Sequence, residues 1–260
     1  MKYYVIAGLL LFYCADALAD SQAVQATTFQ AGFASGDTHT SGGSDSSTYG
    51  INGSITFPLA AYLGASLSGA YAHSNLATNF PSETNNLTPA NASPSCNINQ
   101  GNLDAGLFLR DPTIGKVGIS YGAGRARSGC SATFLATGTD TLDTKNYTAN
   151  AEYYLSKVTI ALARTRTHLE SAGDLNSDTL TASWYSTNNV RVALSAYGLD
   201  FKNTYSLGFE YQPEFLENST SLLFGYTTRH QTIETHSIMV GFGYYFDKRV
   251  DLITRDRQYR

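Results

Sequence analysis

Large apolar residues alternate with small or polar residues through most of the chain. The pattern is clearest at residues 236–246, where Ile238 and every second residue up to Phe246 are large and apolar, while Gly241 and Gly243 lie between them. Successive side chains of a β-strand point to opposite faces, so this alternation predicts a strand with one apolar face and one face of mostly small residues. The same alternation recurs along the chain and predicts about twelve strands.

The connections between these predicted strands alternate in length. The short set comprises residues 58–60, 111–115, 156–157, 186–189 and 212–218. The other set comprises residues 37–47, 75–101, 127–143, 167–178, 199–203 and 229–234, of which the last two are shorter. Short turns at one rim and longer loops at the other are typical of transmembrane antiparallel up-and-down β-barrels, with periplasmic turns and extracellular loops. An even number of strands would place both chain ends on the periplasmic side.

The second face of the predicted strands carries small or polar side chains. Examples are Asn52, Ser54, Thr56, Gly64, Ser66, Ser68, Gly118, Ser120, Gly122, Ser206, Gly208 and Glu210. The inner face of a soluble β-sandwich needs bulky residues, whereas a barrel in lipid has an apolar exterior and a polar lumen. The pattern therefore predicts an all-β transmembrane barrel over residues 20–246. A soluble all-β protein of the periplasm is the alternative fold.

The first nineteen residues have the pattern of an export signal. Lys2 precedes the apolar run YYVIAGLLLFYC, and Ala17-Leu18-Ala19 forms a small-x-small cleavage site. We therefore expect residues 1–19 to be removed and the mature chain to begin at Asp20.

Composition is consistent with a barrel but does not identify one. A hydrophobic content of 42% resembles that of a soluble protein, but the alternation of apolar and polar residues in a barrel gives the same average. The 18 Tyr and 13 Phe favour strands over helices. A net charge of −4 provides no basic surface, so nucleic acid is not an expected partner.

Two of the three cysteines remain after signal cleavage, Cys96 and Cys130. An even pair in an exported chain predicts one disulfide, and two free thiols are the alternative. Both cysteines fall in consecutive long loops on the same predicted rim, which is consistent with a bond between them. No histidine pair at zinc-like spacing accompanies them, so we predict neither a metal site nor a cofactor.

The last predicted strand resembles the β-signal, the pattern that outer-membrane proteins present to their barrel-assembly machinery. The residues that carry the resemblance are Ile238, Val240, Phe242, Tyr244 and Phe246. The resemblance implies membership of the porin-like Gram-negative outer-membrane β-barrel superfamily, with no specific family indicated. It implies an integral protein surrounded by outer-membrane lipid and lipopolysaccharide, with these five side chains facing lipid and the assembly machinery as a partner during insertion.

The chain departs from this superfamily at its end. Most members end at the terminal Phe, but fourteen residues follow Phe246 here. Because residues 247–260 are strongly charged, we expect them to form a solvated periplasmic tail. The alternative is that they fold into the barrel or bind something.

Few charged residues are expected in the lumen: Asp104, Arg110, Glu152, Arg191 and Glu210. All except Asp104 fall near the periplasmic ends of their strands. They would either form a charged constriction that selects solutes, or pair with one another and partly plug the lumen. Two further cations, Arg164 and Arg166, lie near the outer rim, where they would meet lipid headgroups or act as ordinary rim charges.

One element has a partial likeness to enzymes. His73-Ser74-Asn75 resembles the His-x-Ser-Asn element of outer-membrane phospholipases and lipid A deacylases, but lacks the spacer. Adjacent residues of a strand point to opposite faces, so His73 could not activate Ser74. We therefore predict no enzyme.

The leading functional hypothesis is a small passive channel for small hydrophilic solutes, with loop 75–101 restricting access. Twelve strands enclose more room than the roughly eight whose lumen side chains just fill. The second hypothesis is a closed structural or surface-interaction barrel, adhesin-like, that acts through its outer loops. A membrane-embedded lipid hydrolase is the third. No segment marks an oligomer contact.

Overall fold

The computed structural model describes residues 27–40, 45–76, 96–129, 141–170, 173–198, 204–229, 235–246 and 250–258. These residues form twelve strands, one 3-10 turn (Glu214–Leu216) and one short helix, α1 (Leu252–Gln258). The strands are β1 (Thr28–Thr40), β2 (Ser46–Pro58), β3 (Leu63–Leu76), β4 (Cys96–Asp111), β5 (Gly115–Ser128), β6 (Thr141–Leu155), β7 (Val158–Leu169), β8 (Gly173–Thr187), β9 (Val190–Gly198), β10 (Thr204–Tyr211), β11 (Thr220–Arg229) and β12 (Thr235–Tyr245). The predicted signal at residues 1–19 and most of loop 75–101 lie outside the described residues.

The strands form one closed antiparallel barrel, in which each pairs with its neighbours in sequence and β1 pairs with β12. At the closing seam Phe33 lies opposite Phe242. Closure leaves no strand edge unpaired, which a chain surrounded by lipid requires. The predicted all-β antiparallel up-and-down barrel of about twelve strands is confirmed.

The alternation seen in the sequence separates the outside of the barrel from its lumen. The residues of the terminal pattern, Ile238, Val240, Phe242, Tyr244 and Phe246, are all exposed on the outside. Other exposed side chains such as Ile51, Ile119 and Leu194 continue this apolar surface around the barrel. Leaving such an extensive apolar surface in water is unfavourable, whereas lipid covers it without cost.

Several hairpins extend further toward the loop side than the alternation indicates. Most of the predicted loop 37–47 belongs to β1 and β2, which remain paired as far as Thr38 and Ser46. Residues 173–178 likewise belong to β8. Polar residues on both faces of a strand give no alternation of apolar and polar side chains, yet their backbones pair equally well. Thr38 adds a side-chain contact, a 2.8 Å hydrogen bond between its Oγ1 and Ser237 Oγ.

The C-terminal residues depart from the expected solvated tail, and that expectation is corrected here. Residues 252–258 form α1, and Leu252, Arg255 and Asp256 are buried, with exposures of 0%, 2% and 8%. These three residues are spaced as one helix face, and they lie against inward-facing residues of the strands. The structure therefore corresponds to the alternative, in which the tail folds into the barrel.

In the described part of the chain, no helix is both long and apolar enough to cross a membrane.

Candidate functional site in the barrel lumen

Helix α1 is anchored at the rim that carries the short turns, here called the turn side. Asp251 caps the helix, because its Oδ1 accepts a 2.8 Å hydrogen bond from the Thr254 amide. The Ile253 amide donates to the Asn188 carbonyl in the β8–β9 turn at 3.1 Å. Gln212, which is fully buried, donates through Nε2 to the Val250 carbonyl at 2.9 Å. These bonds fix where the chain re-enters the barrel.

Four charged side chains then connect α1 to the inner wall; they are Arg191, Glu210, Arg255 and Asp256, here called the lumen network. Arg255 donates to Glu210 at 2.7 Å, and Glu210 also accepts from Arg191 at 2.5 Å. Arg191 donates in turn to Asp256 at 2.7 Å. The charges alternate in sign along this chain of contacts, so each side chain is stabilised by at least one opposite charge.

Neutral and aromatic groups complete the surroundings of this network. The Arg255 guanidinium lies 3.6 Å from the centre of the Tyr245 ring and donates to Ser221 Oγ at 3.1 Å. The Tyr185 hydroxyl donates to Asp256 at 2.9 Å. Burying charges is favourable only when their hydrogen-bonding groups are satisfied, and removing one partner of a buried pair costs about 3–5 kcal/mol. The network therefore holds α1 firmly in place.

A second group of polar residues lies on β4, β5 and β6. Lys116 and Glu152 are register partners and form a 2.8 Å ion pair. The Tyr154 hydroxyl donates to the same carboxylate at 3.0 Å. Arg110 is nearby and almost completely buried, and its guanidinium lies 4.7 Å from the centre of the Phe108 ring. The partner of Glu152 is thus Lys116, which the sequence analysis did not single out.

Asp104 lies further from the turn side of the lumen than the other predicted charges. It accepts a 2.5 Å hydrogen bond from Asn102 Nδ2. Glycine at position 122 leaves room for this carboxylate, since a Cβ there would lie only 1.8 Å from Asp104 Oδ1. Gly64 does the same for Phe108, whose ring would lie 2.3 Å from a Cβ at that position.

A small polar cavity of about 150 Å³ runs along this wall of the lumen. It is lined by residues of β2 to β6, including Ser66, Asp104, Phe108, Lys116 and Asn150. The contacts of α1 described above reach β8 to β12, and Arg257 adds a 3.1 Å hydrogen bond to the Val158 carbonyl of β7. Its guanidinium also lies 5.1 Å from the centre of the Tyr154 ring on β6, so the contacts of the helix and the lining of the cavity share only that strand.

The structure brings together some of the predicted lumen charges and separates others. Arg191 and Glu210 are paired, whereas no ion pair joins Arg110 to Glu152 among the described residues. The sequence analysis missed Lys116, Arg255 and Asp256. Lys116 could have been found from its place on the inward face of β5, and the other two from their helical spacing with Leu252.

The rim charges Arg164 and Arg166 point outward on β7. Arg166 is paired with Asp174, and Arg164 lies 3.7 Å from Asp178. Both arginines border an exterior groove of about 940 Å³ whose other walls are mainly apolar. They form ion pairs along the outer surface rather than part of the lumen.

The His73-Ser74 pair has the geometry expected of adjacent strand residues. His73 Nδ1 is hydrogen bonded to Asn99 Oδ1 at 2.7 Å, and its ring lies 4.9 Å from that of Tyr49. The Ser74 hydroxyl is bonded to Thr48 Oγ1 at 2.8 Å, on the opposite face. The histidine and the serine hydroxyl are therefore directed away from each other.

The predicted disulfide cannot be followed to its second cysteine. Cys96 begins β4, but Cys130 lies outside the described residues. The Gly129 amide donates to the Asn97 carbonyl at 2.8 Å, so the chain approaches β4 next to Cys96 just before position 130.

In the ranges that the structure describes, no group of three His, Cys, Asp or Glu residues is arranged to hold a metal ion.

Comparison with known proteins relates this chain to others through its fold. No protein-family model and no curated protein matches the sequence. Among solved structures, the translocator domain of the autotransporter NalP from Neisseria meningitidis is similar, with a TM-score of 0.53, 16% identity, and coverage of 94% of this chain and 96% of that one. The KdgM porin is similar with a TM-score of 0.51, 8% identity, and coverage of 83% and 99% respectively. The chain therefore has the fold of the outer-membrane β-barrels.

Proposed function

We propose that this protein is an outer-membrane channel for small hydrophilic solutes, whose lumen is narrowed on its turn side by helix α1. The observation that carries the proposal is the division of the lumen: the hydrogen bonds of α1 reach β7 to β12, with a ring contact to Tyr154 on β6, while the polar cavity follows β2 to β6. Solutes would pass along the cavity wall, past Asp104 and Lys116. Small, polar inward residues support this path, because they leave space and offer hydrogen bonds.

The same geometry supports a position in the bacterial outer membrane. The exposed apolar exterior would contact lipid and lipopolysaccharide, and the long loops would face outward. Heat-modifiable gel migration of the membrane fraction would test this placement. Recovery of the folded chain in the soluble periplasmic fraction would contradict it.

Planar-bilayer recordings test the channel most directly. Three refolded proteins are compared: the mature chain, the same chain ending at Phe246, and a Glu210→Ala variant. The mature chain should give small discrete conductance steps. The truncated chain and the Glu210→Ala variant should give larger steps, because the first lacks α1 and the second loses the carboxylate that holds it. An Asp143→Asn variant is the matched control, since its carboxylate pairs with Arg125 on the outer rim and not with α1. No steps from any of the proteins would show that the barrel is not a channel.

A closed barrel that acts through its outer loops is the second candidate. The observation that favours it is the burial of the lumen network, which pairs Arg191 with Glu210 and ties both to α1. If the barrel is closed, the mature chain should give no current in the same recordings, and current should appear only after removal of residues 247–260. Steps from the intact chain would exclude it.

A further inference from the structure

The turn side of the lumen holds more positive than negative charge. Its cationic side chains are Arg110, Lys116, Arg191, Arg255 and Arg257. Its anionic side chains are Glu152, Glu210, Asp251 and Asp256, so five cations face four anions among these described residues. An uncompensated charge in a buried site is unfavourable by several kcal/mol. A small anion bound on this side would reduce this cost.

Arg110 shows where that anion would bind. The residue is 1% exposed, yet none of Nε, Nη1 and Nη2 has a hydrogen-bond partner within the described part of the chain. A guanidinium group carries five N–H donors in a planar fork. The guanidinium lies 4.7 Å from the centre of the Phe108 ring, which offers cation–π attraction but accepts no hydrogen bond, and the Tyr154 side chain is its other close neighbour.

The two carboxylates near Arg110 already have other partners. Glu152 forms its ion pair with Lys116 and accepts the hydroxyl proton of Tyr154. Asp256 is held by Arg191 and Tyr185. Both carboxylates attract Arg110 through space, but neither forms a hydrogen bond with it in the structure.

A second guanidinium group adds donors close by. Arg257 lies 5.1 Å from the centre of the Tyr154 ring, and its Nη2 donates to the Val158 carbonyl, while its Nε has no hydrogen-bond partner among the described residues. Tyr154 also neighbours Arg110. The two arginines therefore approach the same tyrosine from the inner wall and from α1.

We propose that Arg110 binds a small oxyanion, a carboxylate or a phosphate, in the lumen beside Tyr154, and that the solutes of the channel are small organic or inorganic anions. The solute class rests on the proposed function, but the binding site does not. Arginine forks match two oxygens of a carboxylate or phosphate, which a spherical halide cannot offer. The site adjoins the polar cavity, because Phe108 lines that cavity and its ring lies against the guanidinium.

Equilibrium binding to the refolded mature chain in detergent tests the site without any current measurement. Phosphate, acetate and chloride are titrated separately at constant ionic strength, and the midpoint of thermal unfolding is followed. We expect a saturable rise with phosphate or acetate and none with chloride. The oxyanion that produces the larger rise identifies the preferred headgroup.

The decisive variant is Arg110→Met, which retains much of the side-chain volume without the charge. It should fold, because it removes a buried and unpartnered cation, and it should be at least as stable as the unchanged chain when no oxyanion is present. Its affinity for the oxyanion should fall about tenfold or more. Arg125→Gln, at an exposed rim arginine paired with Asp143, should retain the response.

Two results would overturn the site: equal stabilisation of the Arg110→Met variant, or equal stabilisation by chloride. Reversal potentials in a salt gradient then test the solute class separately. Cation-selective currents from a chain that binds oxyanions would refute only the proposed solutes. Oxyanion binding by a silent barrel would leave the site intact and refute the channel.

Discussion

Two sets of ion pairs in this barrel have similar lengths and very different surroundings. On the outer rim, Arg125 donates to Asp143 at 2.5 and 2.9 Å, and the side chains are 69% and 40% exposed. In the lumen, Arg255 donates to Glu210 at 2.7 Å, and both are nearly inaccessible. Water and salt screen the rim pair, whereas the lumen pair has replaced its water with protein. Burial, rather than distance, decides how much each pair contributes.

The largest effect is expected at the centre of the lumen network. Glu210→Ala leaves Arg191 and Arg255 facing each other without their shared carboxylate. We expect a loss of about 3–5 kcal/mol from the docking of α1, because the buried Arg255 loses its hydrogen-bonded carboxylate and Arg191 keeps only Asp256. Urea unfolding monitored by circular dichroism measures any global part of this loss. An unchanged midpoint together with a protease-resistant tail would show that Glu210 does not hold the helix.

A smaller effect is expected from filling the space over Phe108. In Gly64→Val the new side chain would overlap the Phe108 ring, since even a Cβ would lie 2.3 Å from it. Displacing the ring should destabilise the barrel by about 1–3 kcal/mol and change the conductance, because Phe108 lines the cavity. Gly69→Val is the control, since a Cβ there has no neighbour nearer than 3.5 Å. Equal effects of both variants would refute this role of Phe108.

Next in size is the loss of one neutral donor from the network. Tyr185→Phe removes the hydroxyl that donates to Asp256 but leaves the Arg191 contact. Because a hydrogen bond to a charged group contributes about 1.5–3 kcal/mol and one partner remains, we expect a loss at the lower end of that range. A double-mutant cycle with Asp256→Asn isolates the contact by urea unfolding. Additive losses would indicate that the two groups do not interact.

The smallest effect is expected at the rim. Asp143→Asn removes the exposed partner of Arg125 and should leave the unfolding midpoint unchanged within experimental error, at low and at high salt alike. A shift as large as that of Glu210→Ala would remove the distinction drawn between the two sets of ion pairs.

The barrel itself could be predicted from the sequence because the exterior imposes one simple rule. Every second residue from Ile238 to Phe246 is apolar and lies on the outside, and this rule holds around the wall. The turns were predictable for the same reason, since they interrupt the alternation. The polar ends of β1 and β2 were not, because their backbone pairing leaves no pattern in the side chains.

The lumen was harder to predict because its chemistry depends on partners far apart in sequence. The inward positions of Arg191 and Glu210 followed from alternation, but the place of Arg255 depends on the chain turning back after Phe246. High charge suggested a solvated tail. In the structure, charged tail residues instead pair with opposite charges in the lumen, and Leu252, Arg255 and Asp256 form the buried helix face that makes this contact.

The most direct test of the account is digestion of the refolded mature barrel with trypsin, followed by intact-mass analysis. Trypsin cleaves after arginine, and Arg255 and Arg257 lie within α1. If α1 is docked in the lumen, both sites should be protected in the unchanged chain and cut rapidly in Glu210→Ala. Equally rapid cleavage in the two proteins would show that the helix is not held inside the barrel.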